Sequence, residues 1–156
     1  MPFTNEKELV EIFKNSQYFE NLVEIDGSIS REEVKGFFGV PDLVIIQPTG
    51  EKQISYAFEA KLSNWKRALF QAFRYKAFVN KSFVVMDHDL VKPALSQTDR
   101  FCRANIGLIS IDLSGEVHCH YNPYYEPPYS PQLESKFNEK IRDSGEQHTI
   151  DLFQFS

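Results

Sequence analysis

Apolar and polar residues alternate along 53–61, Gln53-Ile54-Ser55-Tyr56-Ala57-Phe58-Glu59-Ala60-Lys61. In a strand, residues two apart share a face, so Ser55, Ala57, Glu59 and Lys61 lie on one side and Ile54, Tyr56, Phe58 and Ala60 on the other. The run before it, 42–47, is apolar on both faces between its polar ends, the pattern of a central strand covered on two sides. Pro48-Thr49-Gly50 supplies a turn, and an antiparallel hairpin is the economical pairing. That pairing brings Asp42, at the mouth of the first strand, toward Glu59 and Lys61 near the end of the second.

Elsewhere the helical period is readable. Residues 5–19 predict an amphipathic helix with Leu9, Val10, Ile12 and Phe13 as its apolar stripe and Thr4 or Asn5 as N-cap. Glu6 and Glu8 suit its positive end. A short strand over 31–35 follows, ended by Gly36 and Gly39. Residues 65–80, capped by Ser63 or Asn64, predict a helix rich in apolar positions. At about 100° per residue, Arg67, Gln71 and Tyr75 succeed one another at i, i+4 and i+8, with Arg74 and Phe78 in the same sector. Solvation explains the arginines of that stripe better than it explains Gln71 and Tyr75, which are flanked by Ala68, Ala72 and Val79.

The remaining pattern predicts a buried strand at 82–86, a helix reaching 104, and strands at 107–113 and 116–121 joined through Ser114-Gly115. His118 and His120 would share a strand face, without a third metal ligand evident nearby. The segment 121–131 is dense in proline and tyrosine and predicts an extended surface wrap, its tyrosines packed or stacked on a ligand. A short helix at 133–142 and an apolar tail at 150–155, either a strand or a docking peptide, complete the chain.

With 156 residues, 42% of them hydrophobic, one domain with a sizeable core is expected. The 14 phenylalanines and 7 tyrosines make that core aromatic. Cys102 and Cys119 lack metal-ligand spacing and are expected as buried small hydrophobes in a reducing compartment. The first residues lack the basic and apolar regions of a signal peptide, and no apolar run is long enough to span a membrane, so a cytoplasmic location without membrane contact is expected.

Net charge is −5, which by itself argues against a nucleic-acid partner. Its distribution argues the other way: residues 60–86 contain no acid and carry Lys61, Lys66, Arg67, Arg74, Lys76 and Lys81. A local basic surface beside the carboxylates follows.

Pro41-Asp42 followed by Glu59-Ala60-Lys61 resembles the PD-(D/E)XK nuclease superfamily, and Gln71-Ala72-Phe73-Arg74-Tyr75 resembles the Gln-x-x-x-Tyr element of its RecB-like branch. The first motif alone is weak; strand context and the second motif one helix later make it more specific. The resemblance spans 5–86 and implies an α/β, restriction-endonuclease-like αβββαβ core. In that core a central mixed sheet is flanked by helices, with C-terminal strand and tail extensions. Residues 1–121 would form the nuclease-like domain, and 122–156 a wrap, short helix and tail rather than a separate domain.

The implied activity is metal-dependent hydrolysis of DNA phosphodiesters, endo- or exonucleolytic, in repair, recombination or mobile-element processing. Magnesium, with manganese as substitute, would be held by Asp42, Glu59 and the Ala60 carbonyl, in keeping with its preference for oxygen ligands. Lys61 would orient or deprotonate water, Gln71 and Tyr75 would position the metal shell or scissile strand, and Lys66, Arg67 and Arg74 would contact phosphates. The run Asn5-Glu6-Lys7-Glu8-Leu9-Val10 resembles the opening helix of archaeal Holliday-junction resolvases, which implies a catalytic or second-metal role for Glu6, with Glu8 and Glu11 as alternatives. Those resolvases lack the Gln-x-x-x-Tyr helix. A homodimer is compatible with cutting two strands. Ile150-Asp151-Leu152-Phe153 resembles part of a sliding-clamp-binding peptide, although Thr149 replaces the usual glutamine. The competing readings are a non-cleaving nucleic-acid- or protein-binding module of the same fold and a catalytic subunit whose specificity lies in a partner.

Overall fold

The computed structural model describes residues 2–35 and 37–155, with side chains as far as 143. Strands β1 (Ile29–Glu32), β2 (Leu43–Thr49), β3 (Lys52–Lys61), β4 (Lys81–Asp87), β5 (Gly107–Ile111) and β6 (Val117–Tyr121) form one six-stranded sheet in chain order. Neighbours from β1 to β3 are antiparallel, β3 to β5 are parallel, and β6 returns antiparallel to β5. Parallel neighbours need a crossover. Helix α3 (Trp65–Tyr75) makes the first; a 3-10 turn (His88–Leu90), α4 (Lys92–Leu95) and α5 (Thr98–Ala104) make the second. Helices α1 (Glu6–Lys14) and α2 (Gln17–Val23) precede the sheet, and α6 (Pro131–Phe155) follows it. The architecture is therefore α/β, a mixed central sheet flanked by helices.

Strand alternation sorts the core into two faces. Tyr56, Phe58 and Ala60 of β3 join Phe83 and Val85 of β4 beneath Leu9, Phe13 and Phe19. The stacked Phe58 and Phe83 rings, 5.0 Å apart, and Phe13 at 5.3 Å from Phe58 form an aromatic centre. On the opposite face Ala57 packs with Tyr75 and Phe78, while Val84 and Met86 meet Ala68, Ala72 and Phe101. Gly107 is required at the start of β5 because a Cβ there would collide with the Phe83 ring and Pro123. Among the described residues, no helix is long and apolar enough to cross a membrane.

The structure corrects several sequence expectations. The helix expected over 5–19 is two helices, because the Ser16 hydroxyl bonds to Phe13 O and accepts from Phe19 N, capping α2. The first strand lies earlier than 31–35, since Glu33 turns into the left-handed region at φ 49°. Helix α3 stops at Tyr75 rather than 80: Lys76 caps it and inserts its amine between Ala104 O and Glu126. The single helix expected to reach 104 is two short ones, α4 and α5, and the helix expected over 133–142 runs from Pro131 to Phe155. The tail at 150–155 is thus helical rather than a strand; the clamp-binding expectation concerns side chains outside the described residues. Cys102 and Cys119 are exposed, not buried.

Segment 122–130 carries neither helix nor strand and is tied down by side chains. Asn105 bonds Tyr124 N and O and the Glu126 carboxylate, Asn80 bonds Glu126 O, and Tyr129 N donates to Lys76 O.

Candidate functional site

The β2–β3 register pairs Leu43 with Phe58, so Asp42 stands just beyond the last ladder pair, opposite Glu59. Asp42 N donates to Phe58 O at 3.0 Å, and Asp42 Oδ2 accepts from Ala60 N at 2.7 Å. The carboxylate thereby replaces a strand backbone at the end of the sheet. Phe58 and Ala60, two residues apart, point their backbone groups the same way, so the Ala60 carbonyl faces the same opening past the end of β2.

Glu59 is 5% exposed and points to the α3 side, where Oε1 accepts from the Tyr75 hydroxyl at 2.6 Å. Burial pushes its carboxyl up to about 7; the Tyr75 bond and Lys61 oppose the shift, while the charges of Asp42 and Glu6 add to it. Asp42 is also raised, by burial first, with the Ala60 N–H opposing and Glu6 and Glu33 reinforcing. Burial and Glu59 raise Tyr75, which keeps it a proton donor. Among the described residues, Asp42 Oδ1 and Glu59 Oε2 have no hydrogen-bond partner, and the buried Gln71 Oε1 has none either.

Glu6 distinguishes itself among the three acids of α1. Its carboxylate lies 3.8 Å from Lys61 Nζ, whereas Glu8 caps its own helix through Thr4 and Glu11 pairs with Lys14. Asp42, Glu59, Lys61, Tyr75 and Glu6 therefore belong to one electrostatic neighbourhood. Gln71 lies one helical turn before Tyr75. Lys66, Arg67 and Arg74 are exposed on α3, and of the three the Arg74 charge is felt at Tyr75. A cleft of about 470 Å³ opens beside Asp42, lined by Lys7, Lys14, Glu32 and Glu33 among others.

The loop before Asp42 adds groups that sequence patterning missed. Gly39 lies against Tyr75 and adopts φ +131°, a backbone conformation that favours glycine. Phe37 meets Phe78 edge-on at 5.9 Å, and Phe38 lies under the Arg74 guanidinium at 5.4 Å. The paired glycines 36 and 39 were the available signal.

The donors are oxygens, the type a hard divalent cation takes: the half-buried Asp42 and the buried Glu59 carboxylates, both with raised proton affinity, and the Ala60 carbonyl. The three carboxylates Glu6, Asp42 and Glu59 are not a tight cage. Among the described residues, the one set of three ligand atoms within 4.8 Å of one another is Asp112, Glu116 and His118, which could hold a metal ion. This supplies nearby acids for His118 that the sequence reading did not count, while His118 itself stacks on His88 at 3.9 Å. The hairpin turn explains their proximity: one Asp112 oxygen accepts from Ser114 N, the Ser114 hydroxyl and Glu116 N. Ser110 joins His88 and His120, each at 2.7 Å, beneath that turn.

No family model matches the chain, and no curated protein matches its sequence. Among solved structures it is similar to SfsA of Pyrococcus furiosus in complex with Ca2+, at 15% identity and a TM-score of 0.40, over 73% of this chain. The similarity spans 60% of SfsA, less than two thirds of that protein's length.

Proposed function

We propose that the protein is a metal-dependent nuclease, with a restriction-endonuclease-like core, that hydrolyses DNA phosphodiester bonds at the Asp42–Glu59–Lys61 end of β3. The observation that carries this reading is the buried Glu59, opposite Asp42 and bonded by Tyr75, with Lys61 two residues along the same face. Asp42, Glu59 and the Ala60 carbonyl would hold magnesium or manganese, with Glu6 beside a second position. A divalent cation there supplies positive charge to a non-bridging phosphate oxygen and acidifies a water.

The chain's own groups have separable roles. Tyr75 orients Glu59 through its hydroxyl and favours the ionised carboxylate. Asp42 is fixed by the Ala60 N–H, leaving its second oxygen directed elsewhere. Lys61, beside Glu6, orients or deprotonates the attacking water and offsets charge gathering on the phosphate. Gln71, with its buried unpaired oxygen, positions the scissile strand or a ligand water. Arg67, Arg74 and Lys66 hold flanking phosphates.

The test is incubation of the purified full chain with duplex, single-stranded, flapped and branched DNA, with magnesium or manganese. Cleavage abolished by Asp42→Ala and by Lys61→Ala is the expected result. A wild type that cuts none of these substrates, or variants that cut as well as it does, would overturn the reading.

A further inference from the structure

The outer face of α3 sets exposed aromatic rings, which the proposed hydrolysis does not use, among the three cations assigned to flanking phosphates. At about 100° per residue, Phe73, Lys66, Phe70, Arg74 and Arg67 follow one another round an exposed arc, which then passes into Gln71 and Tyr75. Phe70 is 61% exposed and Phe73 44%, although the opposite side of this helix is fully packed. Arg74 lies 5.4 Å from the ring centres of both Phe70 and Phe38. Lys66 and Arg100 each lie 5.7 Å from the Trp65 ring. A groove of about 290 Å³ runs beside Trp65, Phe70, Phe73 and Arg100.

Charge narrows what this face meets. The chain is acidic overall, yet α3 contains no acid, and Lys66, Arg67 and Arg74 form no ion pair among the described residues. Lys66 and Arg67 occupy the first turn, where the positive helix end disfavours them. Uncompensated cations in that position suit an anion. Ring faces, alternating with those cations, suit planar groups.

A duplex offers phosphates but keeps its base faces stacked inside, so the exposed phenylalanines would gain little from it. A single strand offers both, and aromatic platforms flanked by bases are how such strands are held.

We propose that this face, together with Phe38, binds single-stranded nucleic acid, stacking unpaired bases on Phe70 and Phe38 while Lys66, Arg67 and Arg74 hold the phosphates. The arc leads into Gln71 and Tyr75, so the strand is directed toward Asp42 and Glu59. Only that delivery rests on the nuclease reading; binding does not.

The experiment is fluorescence anisotropy of the full chain with a labelled oligodeoxynucleotide, single-stranded or annealed to its complement, in chelator. The single strand is expected to bind about tenfold or more tightly than the duplex, and Phe70→Ala to weaken it by about tenfold. Phe70→Trp is expected to retain binding, and Arg74→Gln to weaken both forms and flatten the salt dependence. Equal affinity for both forms, or Phe70→Ala without effect on the single strand, would overturn the inference. Loss of self-association in Phe70→Ala with oligonucleotide binding intact would assign the face to a second copy instead. Chelator separates the two readings: single-strand binding without cleavage in magnesium sinks only the nuclease, whereas cleavage without single-strand preference sinks only this inference.

Discussion

Tyr75 and Glu59 join α3 to β3 through a 2.6 Å hydrogen bond in which the buried phenol donates to a buried carboxylate. The bond holds Glu59 in place and favours its ionised form against the surrounding desolvation. Tyr75→Phe preserves the ring contact with Phe78, 6.0 Å away, but leaves the carboxylate oxygen unpaired. A hydrogen bond to a charged group contributes about 1.5–3 kcal/mol, so urea unfolding is expected to show a loss of that order near pH 8. Near pH 5 the loss should be smaller. If the proposed hydrolysis holds, kcat/KM should fall about ten- to a hundredfold, the usual effect of removing a group that orients a metal ligand.

The raised Glu59 carboxyl makes the stability of the metal-free protein depend on pH. Its folded value of about 7 lies above the ordinary 4.5, chiefly because of burial, so the folded state binds this proton more tightly than the unfolded chain does. Unfolding free energy therefore falls as pH rises between those two values. The contribution is complete below about pH 4.5 and lost above about pH 7. Glu59→Gln keeps the shape without the charge and should exceed wild type at about pH 8 by on the order of 2 kcal/mol. Asp42, also raised by burial, retains its own slope of the same sign. Urea titrations of both proteins across this range check the prediction; parallel curves would contradict it.

The central hairpin was readable because its signals are local. Alternation fixed which face of β3 carries Glu59; the turn was expected two residues early, since Pro48 and Thr49 pair within β2 and the chain reverses at Gly50-Glu51, in the register that places Asp42 opposite Glu59. The stripe of Gln71 and Tyr75 was readable from helical spacing alone. What escaped depends on distant partners. Lys76 looks like another helical residue until Glu126, fifty residues away, draws its amine inward and α3 ends. The stack of His88 on His118 joins β6 to the turn after β4, which no spacing predicts. Ser16 is a different case: its capping role was visible locally, but the apolar period of α1 continues through it and masked the break.

Metal binding should report on the paired carboxylates without reference to catalysis. Magnesium added to the full chain at about pH 8 is expected to raise its thermal midpoint, by mass action of a ligand that prefers the folded state, worth about 2.7 kcal/mol at a hundred times its Kd. Near pH 6 the rise should be smaller, because a proton competes for Glu59. Asp42→Asn and Glu59→Gln should each remove most of the effect. Asp112→Asn and His118→Ala should leave it intact, whereas loss in these variants alone would move the principal metal site to the β5–β6 turn.

Lys76 has 2% of its side chain exposed and reaches both Ala104 O and Glu126 Oε1, with the Tyr129 ring centre 5.2 Å from its amine. Burial alone would lower its proton affinity, but the bond it donates to Glu126 and the neighbouring Tyr129 leave it raised, so the pair remains charged. Breaking one side of a buried ion pair generally costs about 3–5 kcal/mol. The Glu126 side chain is 28% exposed, which admits some solvent screening and brings Glu126→Ala below that range, to about 2–3 kcal/mol. Lys76→Met should cost less than Glu126→Ala, because it removes the buried charge instead of stranding it. Both variants loosen the 122–130 segment at its hold on Lys76 and Asn105, so protease nicking there should increase more in Glu126→Ala. Urea unfolding and limited proteolysis of the two variants test that ordering; a Lys76→Met protein less stable than Glu126→Ala would mean that the amine's bond to Ala104, rather than the ion pair, closes α3.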